Sequence, residues 1–334
     1  MPDAPIPLVV LAPMAGGPST VELAAAVCDA GGLGFLAAGY RTADDVQRDV
    51  AELRARTDAP FGVNVFVVEP AAVDDAALAT YLDSIRPDAA RLGVELGDPR
   101  ADDDDFDAKV DVLVTARVPV VSFTFALPPR EVVERLQAVG TQVWMTVTST
   151  AEAAAALELG VDAIVAQGAS AGGHRAAFVD DGGDGALDTD ELVEQLVASV
   201  PAPVIAAGGI ATAADVDRMR ALGAAAVQVG TAFLLADEAG TNPLHRNAVA
   251  SDAPTGWTRA FSGRTARGIV NDFMRHHPDA PVAYPQVHHA TTPLRAAGRA
   301  AGDHDRVNLW AGTRHAAAEA RPAAEIVRSL TPGA

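Results

Sequence analysis

The chain has little of what covalent cross-linking and lysine chemistry require. Among its 334 residues there is one cysteine, Cys28, and one lysine, Lys109. A single cysteine excludes an intrachain disulfide and a thiolate zinc cluster and fits a reducing compartment, so we expect a cytoplasmic protein. Lys109 follows a run of aspartates at 102–105. A solvated lysine flanked by acids keeps a raised pKa, which disfavours Schiff-base and pyridoxal chemistry.

Basic charge and long apolar runs are also scarce. Lys and Arg number 25 against 44 Asp and Glu, giving a net charge of -19. This charge repels phosphate backbones and anionic lipid, so we expect neither a nucleic-acid nor a membrane partner. No apolar run reaches the ~18 to 20 residues that cross a bilayer, and Met1 to Pro7 carry no basic leader region. With 49% hydrophobic residues the chain is expected to fold around a sizeable core.

Strand-like apolar runs alternate with helical patterns along the first 230 residues. Several predicted helices end in a glycine directly before the next apolar run, as at Gly140 and Gly160, which is typical of α/β proteins. The eight predicted strands are Leu8–Ala12, Leu33–Ala37, Phe61–Phe66, Val118–Phe123, Gln142–Val147, Asp162–Ala166, Pro203–Ala207 and Ala225–Val229. Eight such strands separated by helices predict a (β/α)8 TIM barrel, which belongs to the α/β class.

The pattern changes after Gly230. Prolines interrupt the following segment until a helical pattern resumes at Ala311 and continues to Leu330. We therefore predict a barrel over 1–234, a smaller, partly helical inserted domain that shapes the substrate pocket over 235–308, and a C-terminal helix returning to the barrel over 309–334.

The carboxyl ends of barrel strands carry the active site of such folds. The seventh predicted strand ends in Gly208 and Gly209, and the eighth in Gly230 and Thr231. Paired glycine turns at these two strands let backbone N–H groups approach an anion, so a phosphate-bearing ligand is expected. The glycines at 32–34 follow a helix and not a strand, which argues against a Rossmann fingerprint.

His174 is the outstanding single residue, because it follows two glycines after the sixth predicted strand. Imidazole is well suited to remove a carbon-bound proton near neutral pH, and His174 is therefore the candidate catalytic base. No serine or cysteine occupies a nucleophile elbow, and Cys28 falls in the first predicted helix as a buried thiol. The remaining histidines lack metal-ligand spacing, so no metal site is expected.

These motifs together resemble the nitronate monooxygenase family, formerly called 2-nitropropane dioxygenases, which are FMN-dependent barrel enzymes. The likeness extends over nearly the whole chain, and its most specific part is Ala171–His174 in its place after the sixth strand. The other matching segments are Ala12–Gly16, Phe61–Val65, Val121–Phe123, Gln167–Arg175, Ala207–Ile210, Gln228–Thr231 and Phe261–Gly268. The resemblance implies a flavoprotein that oxidises an alkyl nitronate, such as propionate 3-nitronate, or a nitroalkane with O2 to a carbonyl compound and nitrite.

The resemblance also implies roles for individual residues. His174 matches the family's catalytic base, and Met14 a residue beneath the isoalloxazine ring of FMN. Further FMN contacts are implied at Asn64, Gln167, Gly172, Gly173, Gly208, Gly209, Gln228, Val229, Gly230 and Thr231. Ser170 departs from the glutamate that the family commonly has, and Thr148–Thr150 lack a second histidine that some members carry. Many FMN barrels place a lysine near flavin N1, and here backbone dipoles or an arginine must stabilise reduced flavin instead.

Two other functions remain open from the sequence. An NAD(P)H-dependent FMN reductase, such as an enoyl-thioester reductase, shares the barrel with similar glycine and histidine positions. A non-catalytic barrel that binds a phosphate-bearing ligand needs the glycines after the seventh and eighth strands but not His174. The sequence leaves the oligomeric state open and is compatible with a homo-oligomer.

Overall fold

A computed structural model of the chain describes residues 5–68 and 73–331. Residues 1–4 and 332–334, at the outer limits of the predicted barrel and C-terminal segments, lie outside the described residues, as do residues 69–72. The strands of the described part are β1 (Val9–Leu11), β2 (Gly34–Ala37), β3 (Phe61–Phe66), β4 (Val120–Thr124), β5 (Gln142–Val147), β6 (Ala163–Gln167), β7 (Gly173–His174), β8 (Val204–Ala207), β9 (Ala226–Val229), β10 (Thr255–Thr258) and β11 (Ala266–Ile269).

Helices follow most of the strands. The α-helices are α1 (Val21–Asp29), α2 (Ala43–Arg56), α3 (Asp75–Arg91), α4 (Phe106–Ala116), α5 (Arg130–Ala138), α6 (Thr150–Glu158), α7 (Thr189–Ser199), α8 (Ala213–Ala221), α9 (Pro243–Val249), α10 (Asp272–His276), α11 (Gln286–Ala301) and α12 (Ala323–Leu330). Short 3-10 helices lie at Thr231–Phe233, His304–Arg306 and His315–Ala317. No helix among the described residues is long and apolar enough to cross a membrane.

Eight parallel strands form the central sheet in the order β1-β9-β8-β6-β5-β4-β3-β2. Its two edge strands meet, because the Leu33 carbonyl accepts a hydrogen bond from Leu11 N at 2.9 Å and Leu33 N donates to the Val9 carbonyl at 3.0 Å. The sheet therefore closes into a barrel, which confirms the predicted (β/α)8 fold. All eight predicted strands are present; Phe61–Phe66 and Gln142–Val147 have the predicted bounds and the others differ by at most two residues at either end.

Local signals in the sequence explain the helix boundaries. Thr20 caps α1 by accepting from Leu23 N, and Thr42 and Thr212 each form a reciprocal capping box with the aspartate three residues later. The glycines that follow α5 and α6, Gly140 and Gly160, have φ of 86° and 83°, a left-handed conformation that ends a helix without steric cost.

A second, smaller sheet covers part of the barrel mouth. Strands β10, β11 and β7 pair antiparallel in that order, and the pairing register sets Ala266 of β11 opposite His174 of β7. The loop that contains the predicted base is therefore a strand of this outer sheet. The sequence reading did not include β7, because two residues are too short for a periodic pattern.

A separate apolar cluster joins the inserted segment to an earlier helix. Phe261, Phe273 and Val287 pack with Tyr81 and Ile85 of α3. Helix α3 thus shares a core with residues that the sequence places in another domain, since its apolar face meets α11. The C-terminal helical pattern predicted from Ala311 is shorter in the structure, where α12 begins at Ala323 and packs against α1 and α8.

The prediction of a solvated Lys109 is wrong. Its side chain is fully buried, and its Nζ lies 2.8 Å from Asp104 Oδ2. The buried residues of α4 are Phe106, Lys109, Val110 and Leu113, which occupy one face of the helix, so position 109 falls on the inward side. Cys28 is buried and free as predicted, and burial raises the pKa of its thiol to about 11.

Candidate active site

A cavity of about 360 Å³ opens where the carboxyl ends of the barrel strands meet. This volume lies in the range of small-molecule and cofactor sites. All twelve residues predicted for the site line it, namely Met14, Asn64, Gln167, Gly172, Gly173, His174, Gly208, Gly209, Gln228, Val229, Gly230 and Thr231. The strand ends that the sequence singled out are therefore brought together around one space.

One side of the cavity is lined by backbone. Gly208 and Gly209 have φ of 109° and 67°, and a side chain on Gly209 would come within 2.9 Å of Ser170 Cβ. Within the described part of the chain, the N–H groups of Gly209 and Gly230 donate to no other residue. Arg314, which sequence reasoning missed, lines the same cavity and lies 3.5 Å from Asp215. Free N–H groups beside a guanidinium suit an anion such as a phosphate.

Two cavity-lining amides are arranged to bind polar groups of a ligand. The Asn64 amide nitrogen donates to Ser122 Oγ and to Thr124 Oγ1, both at 2.9 Å, which orients the Asn64 oxygen as an acceptor. Gln228 is 6% exposed, and its Nε2 has no hydrogen-bond partner in the described structure. A buried amide without a partner costs free energy, so Gln228 is a candidate ligand contact.

Gln167 is engaged within the protein instead. Its Nε2 donates to the His174 carbonyl at 3.1 Å, and its Oε1 accepts from Ala176 N at 2.8 Å. Gln167, at the end of β6, therefore bonds the backbone on both sides of Arg175 and fixes the segment that carries His174.

His174 lies in an aromatic surrounding. The rings of Phe125, Tyr284 and Trp310 lie 5.9, 5.9 and 5.5 Å from its ring centre. Its Nε2 is 2.8 Å from Ser262 Oγ. Burial, reinforced by the positive charges of Arg264 and Arg295, lowers the pKa of His174 to about 3. The imidazole is therefore neutral at physiological pH.

Among the residues that the structure describes, no carboxylate pairs with either of the two arginines near His174. Arg264 donates to the carbonyl oxygens of Arg175 and Ala177, and its guanidinium lies 4.1 Å from the Phe125 ring centre. Arg295 donates to hydroxyl and carbonyl oxygens of the neighbouring helical turns, and burial lowers its pKa to about 10. Among the described residues no Asp or Glu lines the cavity. A protein of net charge -19 thus has a positively charged active-site region.

Two aromatic residues of the cavity wall have strained backbone conformations. Tyr40 and Phe125 have φ of 65° and 88°, which is uncommon for bulky residues and is concentrated at functional sites. Tyr40 stacks on His288, with ring centres 4.0 Å apart and planes 8° from parallel. Both residues closely follow a barrel strand, and that position is the signal by which the sequence could have identified them.

Other residues near the base escaped the sequence analysis for different reasons. Ser262 and Arg264 lie in the segment Phe261–Gly268, which carried the family resemblance but was assigned no role. Arg295 lies in α11 outside any motif, and only the packing of that helix brings it close to His174. Trp310 lines the cavity and also packs against Phe261 of the apolar cluster.

The other histidines mostly bond to backbone or to single acids. His245 Nε2 lies 2.8 Å from the Trp310 carbonyl, and His277 Nε2 lies 3.1 Å from Asp88. No group of three or more potential metal ligands occurs in the ranges 5–68 and 73–331.

The fold and the cavity define an α/β-barrel enzyme with its site at the carboxyl ends of the strands. The sequence profile of the nitronate monooxygenase family matches residues 3–333. The chain belongs to this family and is an oxidoreductase, and membership implies a flavin cofactor.

Individual relatives agree with this assignment. A nitronate monooxygenase of Pseudomonas aeruginosa is 40% identical over 340 residues, covering 96% of this chain and 94% of that protein. The crystal structure of a nitroalkane oxidase from Streptomyces ansochromogenes superposes with a TM-score of 0.94 at 47% identity, covering 98% of this chain and 94% of that one. FabK from Thermotoga maritima is more distant, with a TM-score of 0.75 and 30% identity over 97% of this chain and 91% of its own.

Proposed function

We propose that the protein oxidises alkyl nitronates, and more slowly nitroalkanes, with O2 to a carbonyl compound and nitrite, using FMN and His174. The carrying observation is a cavity that no Asp or Glu lines among the described residues, together with the positive charges of buried Arg264 and Arg295, which act on its neutral imidazole. In a region of low dielectric these charges stabilise an anion far more than they would in water. A nitronate is an anion, whereas a nitroalkane is neutral.

The residues of the cavity fit FMN. The N–H groups of Gly209 and Gly230 and the Arg314 guanidinium would hold the phosphate, and the unpartnered Gln228 Nε2 and the Asn64 oxygen would bind polar edges of the ring system. Gly172, Gly173, Gly208, Val229 and Thr231 complete the lining, with Met14 against the ring. Bound FMN supplies the capacity to take electrons from the substrate and pass them to O2.

Gln167 contributes to the site in a different way. Because both ends of its amide bond the His174 loop, we assign it to placing the base beside the cofactor cavity.

His174 acts differently toward the two forms of substrate. With a neutral nitroalkane it accepts the α-proton as general base. With a nitronate, the bound anion favours the protonated imidazole, because an opposite charge nearby raises the pKa of a histidine. The imidazolium and the nitronate then stabilise each other, while Arg264 and Arg295 add to the positive field.

We retain the predicted division of the chain as part of this proposal. Residues 1–234 would bind FMN, 235–308 would shape the substrate pocket, and 309–334 would return to the barrel. Tyr284 and Trp310, whose rings contact His174, support a pocket wall that draws on the later segments. The single buried thiol supports the expected cytoplasmic location.

The first experiment is a visible absorption spectrum of the purified protein, with the released chromophore identified after denaturation. We expect stoichiometric FMN, and O2 consumption with nitrite release on addition of propionate 3-nitronate. Anaerobic bleaching by NADH without any nitrite release would favour the FMN reductase. A colourless protein that FMN does not reconstitute would favour the non-catalytic barrel.

The role of His174 is tested by His174→Asn. We expect retained FMN and a fall of about 10² to 10⁴ in kcat/KM for nitroethane, which is the usual contribution of a general base. His304→Asn is the control, because His304 has a side chain that is 65% exposed. Full activity of His174→Asn on neutral nitroethane would show that His174 is not the base.

A further inference from the structure

The hydroxyl of Ser262 lies among three hydrogen-bonding groups. Its Oγ is 2.8 Å from His174 Nε2, 3.1 Å from the Arg264 carbonyl oxygen and 3.4 Å from Arg264 N. Ser262 is 2% exposed, so these neighbours determine its hydrogen bonding. A serine hydroxyl has one proton to donate and two lone pairs that accept.

The chemistry of the neighbours assigns the protons. The Arg264 carbonyl can only accept, and Arg264 N–H can only donate. When the Ser262 proton is donated to the carbonyl, its two lone pairs accept from Arg264 N–H and from His174 Nε2–H, and every group is satisfied. If Ser262 donated to His174 instead, the Arg264 carbonyl would have no donor among the described residues, which is costly for a partly buried carbonyl.

We infer that Ser262 is a positioning residue that holds His174 in the Nε2-protonated tautomer and leaves the lone pair on Nδ1 for the substrate proton. This inference rests on the proposed role of His174 as base. Nδ1 has no hydrogen-bond partner in the part of the chain that the structure describes, and His174 is one of the residues that line the cavity.

The backbone around Ser262 makes this arrangement rigid. Arg175 N, next to His174, donates to the Thr265 carbonyl at 2.9 Å, which ties β7 to the segment that carries Ser262. Gly263 has a φ of 77°, and a side chain there would come within 2.3 Å of the Ala283 carbonyl. The turn therefore requires glycine, and the distance between Ser262 and the imidazole is fixed by main-chain contacts on both sides.

The proton transfer is then defined at the level of atoms. The α-carbon–hydrogen bond of the nitroalkane breaks and an Nδ1–H bond forms, while the electron pair of the broken bond becomes the carbon–nitrogen double bond and the negative charge moves onto the nitronate oxygens. The hydrogen bond from His174 Nε2–H to Ser262 Oγ is unchanged throughout. This hydrogen bond therefore stabilises the imidazolium while the proton is transferred. Nδ1 afterwards returns its proton to water.

The test is nitrogen NMR on the FMN-loaded protein labelled with ¹⁵N-histidine. The signals of His174 are assigned from their loss in His174→Gln, and the chemical shifts distinguish the two neutral tautomers. We expect wild-type His174 to be protonated at Nε2 alone. Protonation at Nδ1 in the wild type would overturn the inference without any variant being made, even if nitronate turnover is normal.

Two substitutions of Ser262 complete the experiment. In Ser262→Ala we expect a mixture of tautomers and a fall of about tenfold in kcat/KM for nitroethane, the size expected for loss of one hydrogen bond to the reacting ring. Ser262→Thr, which keeps the hydroxyl, should restore the single tautomer. An unchanged tautomer in Ser262→Ala would refute the inference. A correct tautomer without any nitroalkane turnover would instead count against the proposed function.

Discussion

Lys109 Nζ lies 2.8 Å from Asp104 Oδ2, in an ion pair whose lysine is fully buried. The other oxygen of the same carboxylate accepts from Tyr40 N at 3.0 Å. The ion pair is thus hydrogen-bonded to the backbone of Tyr40, a strained residue of the cavity wall. Burial raises the pKa of Asp104 to about 6, although the lysine opposes this shift.

Removal of one member of this pair should be costly. In Lys109→Met we expect the free energy of unfolding at pH 8 to fall by about 3 to 5 kcal/mol, because a buried carboxylate is left without its counter-charge. Urea denaturation measures this. The double variant Lys109→Met/Asp104→Asn should recover most of the loss, and the single variant should lose less at pH 5, where the carboxyl group is protonated. A single variant as stable as the wild type would contradict this account.

The neutral His174 predicts a pH dependence of stability. Its pKa is about 3 in the folded protein and near 6.5 when unfolded, so the unfolded chain binds more protons between these values. Stability is fully present above pH 6.5 and is lost as the pH falls. Relative to His174→Gln, the wild type should lose about 2 kcal/mol between pH 6.5 and 5. Thermal unfolding of both proteins across this range measures the difference, and parallel curves would disprove it.

Gly230 provides a test of the phosphate position. A side chain there would lie 3.2 Å from Ala12 Cβ and 3.6 Å from Met14 Sδ, inside the cavity lining. We expect Gly230→Val to be purified with little FMN while remaining folded. Gly256→Val is the matched control, since its side chain would be as close to Val270, at 3.0 Å, but lies in β10 away from the cavity. Equal flavin content in the two variants would reject this placement. Gly209→Val should also expel FMN, but its positive φ adds backbone strain.

Replacement of Gln228 should have opposite effects on two quantities, the stability of the flavin-free protein and the affinity for FMN. Replacement by leucine removes a buried donor that has no partner among the described residues, so the flavin-free protein should be as stable as the wild type or more so. The same change removes the proposed contact to FMN, and we expect the dissociation constant of FMN to rise about tenfold. Fluorescence titration with FMN and thermal unfolding measure the two effects. Gln195→Leu, at an exposed position of α7, should change neither.

The sequence alone was enough to predict the parts of the fold and site that local backbone geometry determines. Glycine turns and apolar strands predicted the barrel, and the twelve predicted site residues, which lie near or after strand ends, all line the cavity. It was insufficient where a side chain acts through a distant element. Ser262 reaches His174 across 88 residues, and the burial of Lys109 depends on which face of α4 meets the barrel.

The backbone of His174 belongs to the three-stranded outer sheet and not to the barrel, whose strand ends line the cavity proposed to hold the cofactor. The proposed base, His174, would therefore lie in one sheet, and FMN would be bound by the other. A tilt of the outer sheet against the barrel would change the distance between them and, because Gly173 and His174 line the cavity, the shape of the cavity as well. Substitutions in β11, whose Ala266 and Arg267 pair directly with β7, would therefore affect proton transfer and substrate entry together.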